Sequence, residues 1–177
     1  LPAGLATPHL PPSSAQTLGQ LLEQAPGWDD VEWLQANSRL PLLLKGVTHP
    51  ADAALACELG IAGLIVSNHG GRVLDTVPAS ATLLPEVAAS VAGRCALLVD
   101  GGIRRGTDVL KALALGADAV LLGRPVLHGL ANAGATGVAH VLRLLQDELI
   151  AAMALCGLRD LAEIDPSCLR EPGELRR

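Results

Sequence analysis

The chain has 177 residues, 50% of them hydrophobic, and a formal net charge of -5 at pH 7. This length fits one domain with a sizeable apolar core, and no apolar stretch is long enough to cross a bilayer, so we expect no membrane association. The acidic balance, without basic clusters among aromatic residues, argues against a nucleic-acid partner. We therefore expect small molecules as ligands.

In chain order, residues 1–27 are rich in proline, glycine, serine and glutamine and predict a surface loop or linker. A helix is expected over 28–35. Four short apolar runs follow, at Leu42–Leu44, Leu64–Val66, Leu97–Val99 and Val120–Leu122. Such runs are typical of strands buried on both faces of a parallel sheet. The spacing between them leaves room for one helix and two short loops each time.

The segments that follow the apolar runs have sequence patterns typical of helices. Proline and glycine placement predicts one helix over Pro50–Glu58, and Thr107 is the expected N-cap of another that ends at Leu115. The helices expected after the second and fourth runs cover 81–91 and 138–153. Residues 166–177 read as a C-terminal tail. The predicted order is therefore one helix followed by four βα units.

Each apolar run ends in polar residues, beginning with Lys45 after the first and Ser67 after the second. The third run leads into Asp100 and the fourth into Gly123–Arg124. Because the carboxyl ends of parallel strands meet at one edge of the sheet, these groups are expected to share a site.

Two of these strand ends have the character of phosphate loops. In Asp100–Arg104, two glycines allow the backbone N–H groups to turn toward an anion, and the arginine supplies positive charge. Gly123–Arg124, at the end of the next strand, again combines a glycine with an arginine. The two loops together predict one phosphate held between them. The alternative for either loop alone is a tight turn with a solvated arginine.

The segment after the second run suggests acid–base chemistry. His69 can take a proton near neutral pH, and Arg72 can hold a carboxylate through two hydrogen bonds. The alternative is a loop histidine and a surface arginine. A buried Lys45 requires a negative partner. A salt bridge within the protein would supply one, but beside two phosphate loops we favour a ligand.

The four cysteines, and the histidines other than His69, are expected to be structural. The four cysteines lack the spacing of a disulfide framework or a zinc site, and we expect them to be reduced: Cys57, Cys95, Cys156 and Cys168. No metal site is predicted. The histidines without charged or glycine-rich neighbours of this kind are His9, His49, His128 and His140.

At these residues the chain resembles the FMN-dependent 2-hydroxy acid oxidases and dehydrogenases, the family of glycolate oxidase. The resemblance rests on motifs in a fixed order, chiefly Leu40–Val47, Ser67–Arg72, Asp75–Ala79, Asp100–Ala117 and Leu122–Pro125. It implies the C-terminal half, the last four βα units, of a TIM (β/α)8 barrel. That half-barrel domain is expected to cover residues 28–165.

The resemblance also implies a role for each matching residue. His69 would be the catalytic base that takes a proton from a 2-hydroxy acid as two electrons pass to FMN, and Arg72 would bind the carboxylate. With His69, it would form the substrate site. The residues implied to bind FMN are Lys45, Ser67, Asp100, Gly101, Gly102, Ile103, Arg104, Gly123 and Arg124.

The implied function is oxidation of (S)-2-hydroxy acids to 2-oxo acids, with oxygen as acceptor, in a full-length barrel that forms a homo-oligomer. An intracellular, peroxisomal location is also implied, although the chain ends in Glu174–Arg177 and not in a Ser-Lys-Leu tripeptide. The family's substrate-binding tyrosines would lie in the first half of the barrel, and this chain has no tyrosine. The alternatives are a non-catalytic half-barrel that binds FMN or phosphate, an interaction module, and another phosphate-binding barrel dehydrogenase.

Overall fold

The computed structural model describes residues 18–170, which fall into two compact units that divide between Ser38 and Arg39. Most of the predicted N-terminal loop, residues 1–17, and most of the predicted tail, residues 171–177, lie outside the described residues.

The first unit contains two helices, α1 at Leu18–Glu23 and α2 at Trp28–Asn37. The Gly27 N–H donates to Asp30 Oδ2 over 2.7 Å, which satisfies a backbone donor at the start of α2. Helix α2 was predicted and is two residues longer than expected. Helix α1, in contrast, lies within residues predicted as loop, because the composition of that region concealed a six-residue segment without proline.

The second unit is built on a four-stranded parallel sheet in the order β1-β2-β3-β4. Its strands are β1 at Leu43–Val47, β2 at Gly63–Val66, β3 at Ala96–Val99 and β4 at Ala119–Val120. The register pairs Leu44 with Leu64, and Leu64 with Leu97. The predicted parallel α/β fold is therefore confirmed.

A helix follows each strand of the sheet. These helices are α3 at Pro50–Glu58, α4 at Ser80–Val91, α5 at Gly106–Ala114 and α6 at Arg124–Leu155. Two 3₁₀ turns follow, at Leu161–Glu163 and Pro166–Cys168. Every strand lies beside its predecessor in the chain, as in consecutive βα units of a barrel. A doubly wound sheet would instead reverse its strand order at one point.

The core lies between the middle of the sheet and α4. All four residues of β2 are buried, and Leu64 and Val66 have no exposed surface. Leu84 and Val87 on α4 are equally buried. Strand β1 is more open, with only Val47 buried, because it has a strand neighbour on one side only among the described residues. The buried middle strands therefore fix the positions of the strand ends.

All four strands differ from their predicted limits, β2 and β3 only by beginning one residue earlier. Lys45 lies inside β1 rather than after it, and the register shifts between Lys45 and Val47 where Gly46 adopts φ +101°. This irregularity is typical of a β-bulge, which re-aims the side chains beside it. Strand β4 is two residues long and ends at Val120, although the Leu121 N–H still donates to the Val99 carbonyl over 2.9 Å.

Three helices also begin elsewhere than predicted, α4 by one residue, at Ser80. Helix α5 starts at Gly106, so its N-cap is Arg105 rather than Thr107, and the Asp108 carboxylate in its first turn accepts from the Arg105 N–H. Helix α6 starts at Arg124, well before the predicted residue 138, and breaks at Ala133–Gly134. Its first part is rich in glycine and alanine, so its hydrophobic periodicity was weak.

Close packing explains two glycines of α6. On either side of the break, Gly129 and Gly137 approach each other so closely that a Cβ on Gly137 would collide with the Gly129 carbonyl. Among residues 18–170, no helix combines the length and the apolar character needed to span a membrane.

Candidate active site

Polar side chains from β1, β2 and β3 meet at the carboxyl ends of these strands. The Lys45 Nζ lies 2.8 Å from Asp100 Oδ2 and donates to Ser67 Oγ over 3.0 Å. The Asp100 side chain is 20% exposed, so its charge benefits from an opposite partner nearby, whereas the Lys45 side chain is 37% exposed and is not buried as expected. The salt bridge that was the alternative for Lys45 is present, with Asp100 as its partner, because β1 and β3 flank β2; a ligand contact of Lys45 stays a prediction.

Ser67 connects this ion pair to the predicted base. It is 1% exposed, and its Oγ accepts both from Lys45 Nζ and from the His69 N–H, the latter over 3.1 Å. The His69 imidazole lies over β1, since a Cβ on Gly46 would come within 3.2 Å of its Cε1. Lys45, Ser67, His69 and Asp100 are thus brought together as predicted.

The loop after β2 turns sharply at His69, which has φ +53°, a value rare for residues other than glycine. Asn68 supports this turn, because its Oδ1 accepts from the Gly70 and Gly71 N–H groups over 3.1 and 3.3 Å. Its backbone N–H also donates to Ser80 Oγ on α4 over 3.3 Å. A buried serine therefore anchors the base of the loop, while the His69 side chain stays exposed.

The glycine-rich loop after β3 has the backbone form expected of an anion site. Gly101 and Gly102 adopt φ +91° and +79°, which side chains disfavour, and the next residue, Ile103, is buried. Arg104 is exposed and lines a cavity of about 460 Å³ together with Arg105 and Asp108. The Arg104 side chain at this loop is therefore open to an anion.

The second predicted phosphate loop contacts the loop that carries His69. Gly123 precedes α6 and Arg124 begins it. The Arg124 Nη2 donates to the Gly70 carbonyl over 2.9 Å, and a Cβ on Gly70 would lie only 2.6 Å from that nitrogen. The end of β4 is thereby joined to the end of β2, across β3.

Arg72 is the predicted site residue that the structure does not connect to the others. It lies exposed in the loop between β2 and α4. Within residues 18–170 its side chain has no hydrogen bond or ion pair. Its guanidinium therefore has its donors available, as a carboxylate-binding group requires.

One unsatisfied atom tests whether FMN fits this site. Asp100 Oδ1 is buried and accepts no hydrogen bond from any described residue, although Oδ2 of the same carboxylate is paired with Lys45. Buried acceptors without partners are uncommon and call for an explanation. A ribityl hydroxyl of FMN would supply the missing donor, and the exposed Arg104 guanidinium would suit its phosphate. The residues present therefore fit the cofactor.

Sequence reasoning missed several residues that shape the site. Asp108 accepts from the Arg104 and Arg105 N–H groups over 3.0 and 2.9 Å, and an acidic residue three positions after a loop is a recognisable capping signal. Glu148 accepts from the Gly106 N–H over 2.8 Å. It lies far along the chain, on α6, and nothing in the sequence connects it to this loop. No group of three or more His, Cys, Asp or Glu residues within 18–170 could hold a metal ion.

The fold and these strand ends define a class of protein: a parallel α/β protein built from successive βα units, with a basic, glycine-rich site at the carboxyl edge of its sheet. The sequence match is more specific. A model of the family described as FMN-dependent dehydrogenase matches residues 5–171. The chain belongs to this family, whose cofactor is FMN.

The relatives include an L-lactate oxidase of Nostoc sp., 55% identical over 169 residues that make up 94% of this chain and 46% of the relative. A peroxisomal (S)-2-hydroxy-acid oxidase of Oryza sativa subsp. japonica is 52% identical, with 86% of this chain and 42% of the relative covered. For 2-hydroxyacid oxidase 2 of Mus musculus the identity is 49%, with 95% and 45% covered. The chain thus spans less than half the length of these relatives.

A solved structure with the same fold is that of mandelate oxidase with 3,3-difluoro-2-hydroxy-3-phenylpropionic acid. It superposes with a TM-score of 0.77 at 48% identity, covering 80% of this chain and 43% of the other. The match confirms that the four βα units are half of a (β/α)8 barrel.

Proposed function

We propose that this chain is the cofactor-binding and proton-accepting part of an FMN-dependent oxidase of (S)-2-hydroxy acids. The observation that carries the proposal is the continuous chain of contacts from Asp100 through Lys45 and Ser67 to His69, next to an unsatisfied Asp100 oxygen. FMN held by these residues would supply a two-electron acceptor for the alcohol, and dioxygen would be the final acceptor, taking two electrons and two protons to give hydrogen peroxide. The substrate becomes a 2-oxo acid.

The proposed roles follow from charge and position. The exposed imidazole of His69 accepts a proton of the substrate, because a neutral imidazole has one nitrogen free to accept. Arg72, with free donors, holds the substrate carboxylate. The Lys45 ammonium, fixed by Asp100 and Ser67, stabilises negative charge that develops on the flavin.

The phosphate end of FMN is assigned to the two glycine-rich loops. The amides of Gly101, Gly102 and Ile103 and the guanidinium of Arg104 come from the loop after β3. Gly123 and Arg124 come from the start of α6. Arg124 also holds the Gly70 carbonyl, so the same arginine joins the phosphate site to the loop of the base.

His69→Ala tests the proposed base, with His140→Ala on exposed α6 surface as its matched control. In the full-length protein both variants should bind FMN, and both should keep their flavin absorbance. Anaerobic addition of a 2-hydroxy acid should bleach the flavin of the control, whereas His69→Ala should react about 10²–10⁴ times more slowly. Undiminished bleaching in His69→Ala would remove His69 as the base. If the control also bound FMN without bleaching, the result would match the non-catalytic alternative.

We further propose that residues 28–165 form the half-barrel domain, between the N-terminal linker 1–27 and the tail 166–177. The family match over residues 5–171 supports a domain that fills most of the chain. Limited proteolysis with mass spectrometry would test the limits, since cleavage should concentrate outside 28–165.

The cellular setting is also a proposal. The rice relative is described as peroxisomal, which supports an intracellular location, and the family resemblance supports a homo-oligomer. Fluorescence microscopy of the tagged full-length protein and light scattering of the purified one would test these two points.

A further inference from the structure

Two adjacent arginines in the loop after β3 have different partners. Arg105 Nη1 donates to Glu148 Oε1 over 3.3 Å. The side chain of Arg104 has no ion pair with any residue between 18 and 170. The sequence resemblance implies that Arg104 binds the phosphate, and the two different sets of partners supply a physical reason for that choice.

Glu148 also holds the start of α5. Its Oε2 accepts from the Gly106 N–H over 2.8 Å, one of the four backbone donors that a helix start leaves without an internal partner. The backbone of α6 lies directly against Gly106, where a Cβ would collide with the Leu149 nitrogen and come within 2.7 Å of Glu148 Cβ. The position of Glu148 is therefore set by packing of α6 on α5.

The carboxylates of Asp108 and Glu148 together occupy three successive backbone donors. Asp108 Oδ2 accepts from the N–H groups of Arg104 and Arg105, and Glu148 from that of Gly106. These N–H groups are consequently not available to a phosphate. A phosphate at this loop must use the glycine amides that precede them and the Arg104 side chain.

We propose that Glu148 is a positioning residue for the FMN phosphate. It holds Arg105 and the start of α5 so that Arg104, and not Arg105, is the arginine of this loop that binds the phosphate. The inference rests on the proposed function, because the phosphate is that of FMN.

Whether removal of Glu148 strengthens or weakens FMN binding distinguishes a positioning role from simple charge repulsion. A carboxylate near a phosphate repels it, so if charge alone mattered, removal of Glu148 would strengthen FMN binding. If Glu148 positions the loop, its removal weakens binding instead. Riboflavin, which lacks the phosphate, should be insensitive in the second case.

The experiment measures dissociation constants of FMN and riboflavin by flavin fluorescence on the full-length protein. Glu148→Ala should weaken FMN binding roughly tenfold and leave riboflavin binding unchanged, whereas Glu148→Gln should recover most of the loss, since its amide oxygen can accept from Gly106. The matched control is Asp147→Asn, because Asp147 pairs with Arg143 within α6. It should change neither constant.

A second pair of variants tests the assignment of the arginines even if Glu148→Ala fails to fold. Arg104→Ala should weaken FMN binding at least tenfold more than Arg105→Ala does. Equal losses in the two arginine variants would overturn the inference, as would an unchanged FMN-to-riboflavin ratio or tighter FMN binding in Glu148→Ala. A parent protein that binds riboflavin as well as FMN would contradict the proposed function itself, and the inference with it.

Discussion

The strand ends and the loop after β2 differ in how they hold their side chains. At the strand ends, Lys45, Ser67 and Asp100 are joined by short contacts above a buried sheet. In the loop, Arg72 is exposed and is followed by Val73 and Leu74, with 75% and 68% of their surface exposed. Three of the groups proposed for the cofactor, Lys45, Ser67 and Asp100, are thus held by contacts with one another, whereas Arg72, proposed for the substrate carboxylate, has no such contact.

The largest difference between the two regions is expected in stability. Leu64→Ala, at a side chain with no exposed surface in the middle of the sheet, should lower the free energy of unfolding by about 2–5 kcal/mol. Leu74→Ala in the loop should change it by less than about 0.5 kcal/mol. Chemical denaturation followed by circular dichroism measures both. Similar losses in the two variants would show that the loop is packed as tightly as the sheet.

The two cations proposed for the site should separate stability from substrate binding. Lys45→Met leaves Asp100 without its cation and should lower the free energy of unfolding by about 1–2 kcal/mol, while Arg72→Met should lower it by less than about 0.5 kcal/mol. Arg72→Met should instead raise the KM for the hydroxy acid roughly 10–100-fold. Steady-state kinetics of the full-length protein, together with denaturation, would check this. The contrast fails if Arg72→Met destabilises the protein as much as Lys45→Met does.

The smallest effect concerns two thiols, Cys95 just before β3 and Cys156 just after α6. Burial, and then a hydrogen bond with Cys57 3.5 Å away, raise the pKa of Cys95 to about 11 from an ordinary 9.0. Cys156 is exposed. Because the thiolate is the reactive form, iodoacetamide should modify Cys156 before Cys95 at pH 8, as peptide mass spectrometry would show.

The same raised pKa has a consequence for stability. Above pH 9 the unfolded chain releases the Cys95 proton more readily than the folded one. The contribution of Cys95 is therefore complete below about pH 9 and is lost as the pH rises toward 11. Cys95→Ala should flatten that part of the pH dependence of unfolding, whereas Cys156→Ala should leave it unchanged. Equal slopes in the two variants would contradict the assignment to Cys95.

The sequence could predict features that depend on residues close together along the chain, but not features that depend on contacts between distant ones. Helix α3, at Pro50–Glu58, has the predicted limits because a proline at its start and a glycine after its end are local signals. The prediction missed the first part of helix α6, because that part is rich in glycine and alanine and has little hydrophobic periodicity. The close approach of Gly129 and Gly137 depends on tertiary packing, which the sequence does not show. The strand order followed from the repeated βα pattern.

The candidate site divides in the same way. Its residue types at the strand ends were readable from the motifs, and the contacts of Lys45, Ser67 and His69 agree with that prediction. The Lys45 ion pair with Asp100 and the Glu148 contact with Gly106 join residues distant in sequence, which only the folded chain brings together.

The central claim is that the strand ends converge on one FMN molecule with its hydroxy acid. A crystal structure of the full-length protein with FMN tests it most directly. We predict a ribityl hydroxyl about 3 Å from Asp100 Oδ1 and the phosphate within hydrogen-bond distance of both Arg104 and Arg124. A flavin bound away from these residues, with Asp100 Oδ1 still without a donor, would contradict the account.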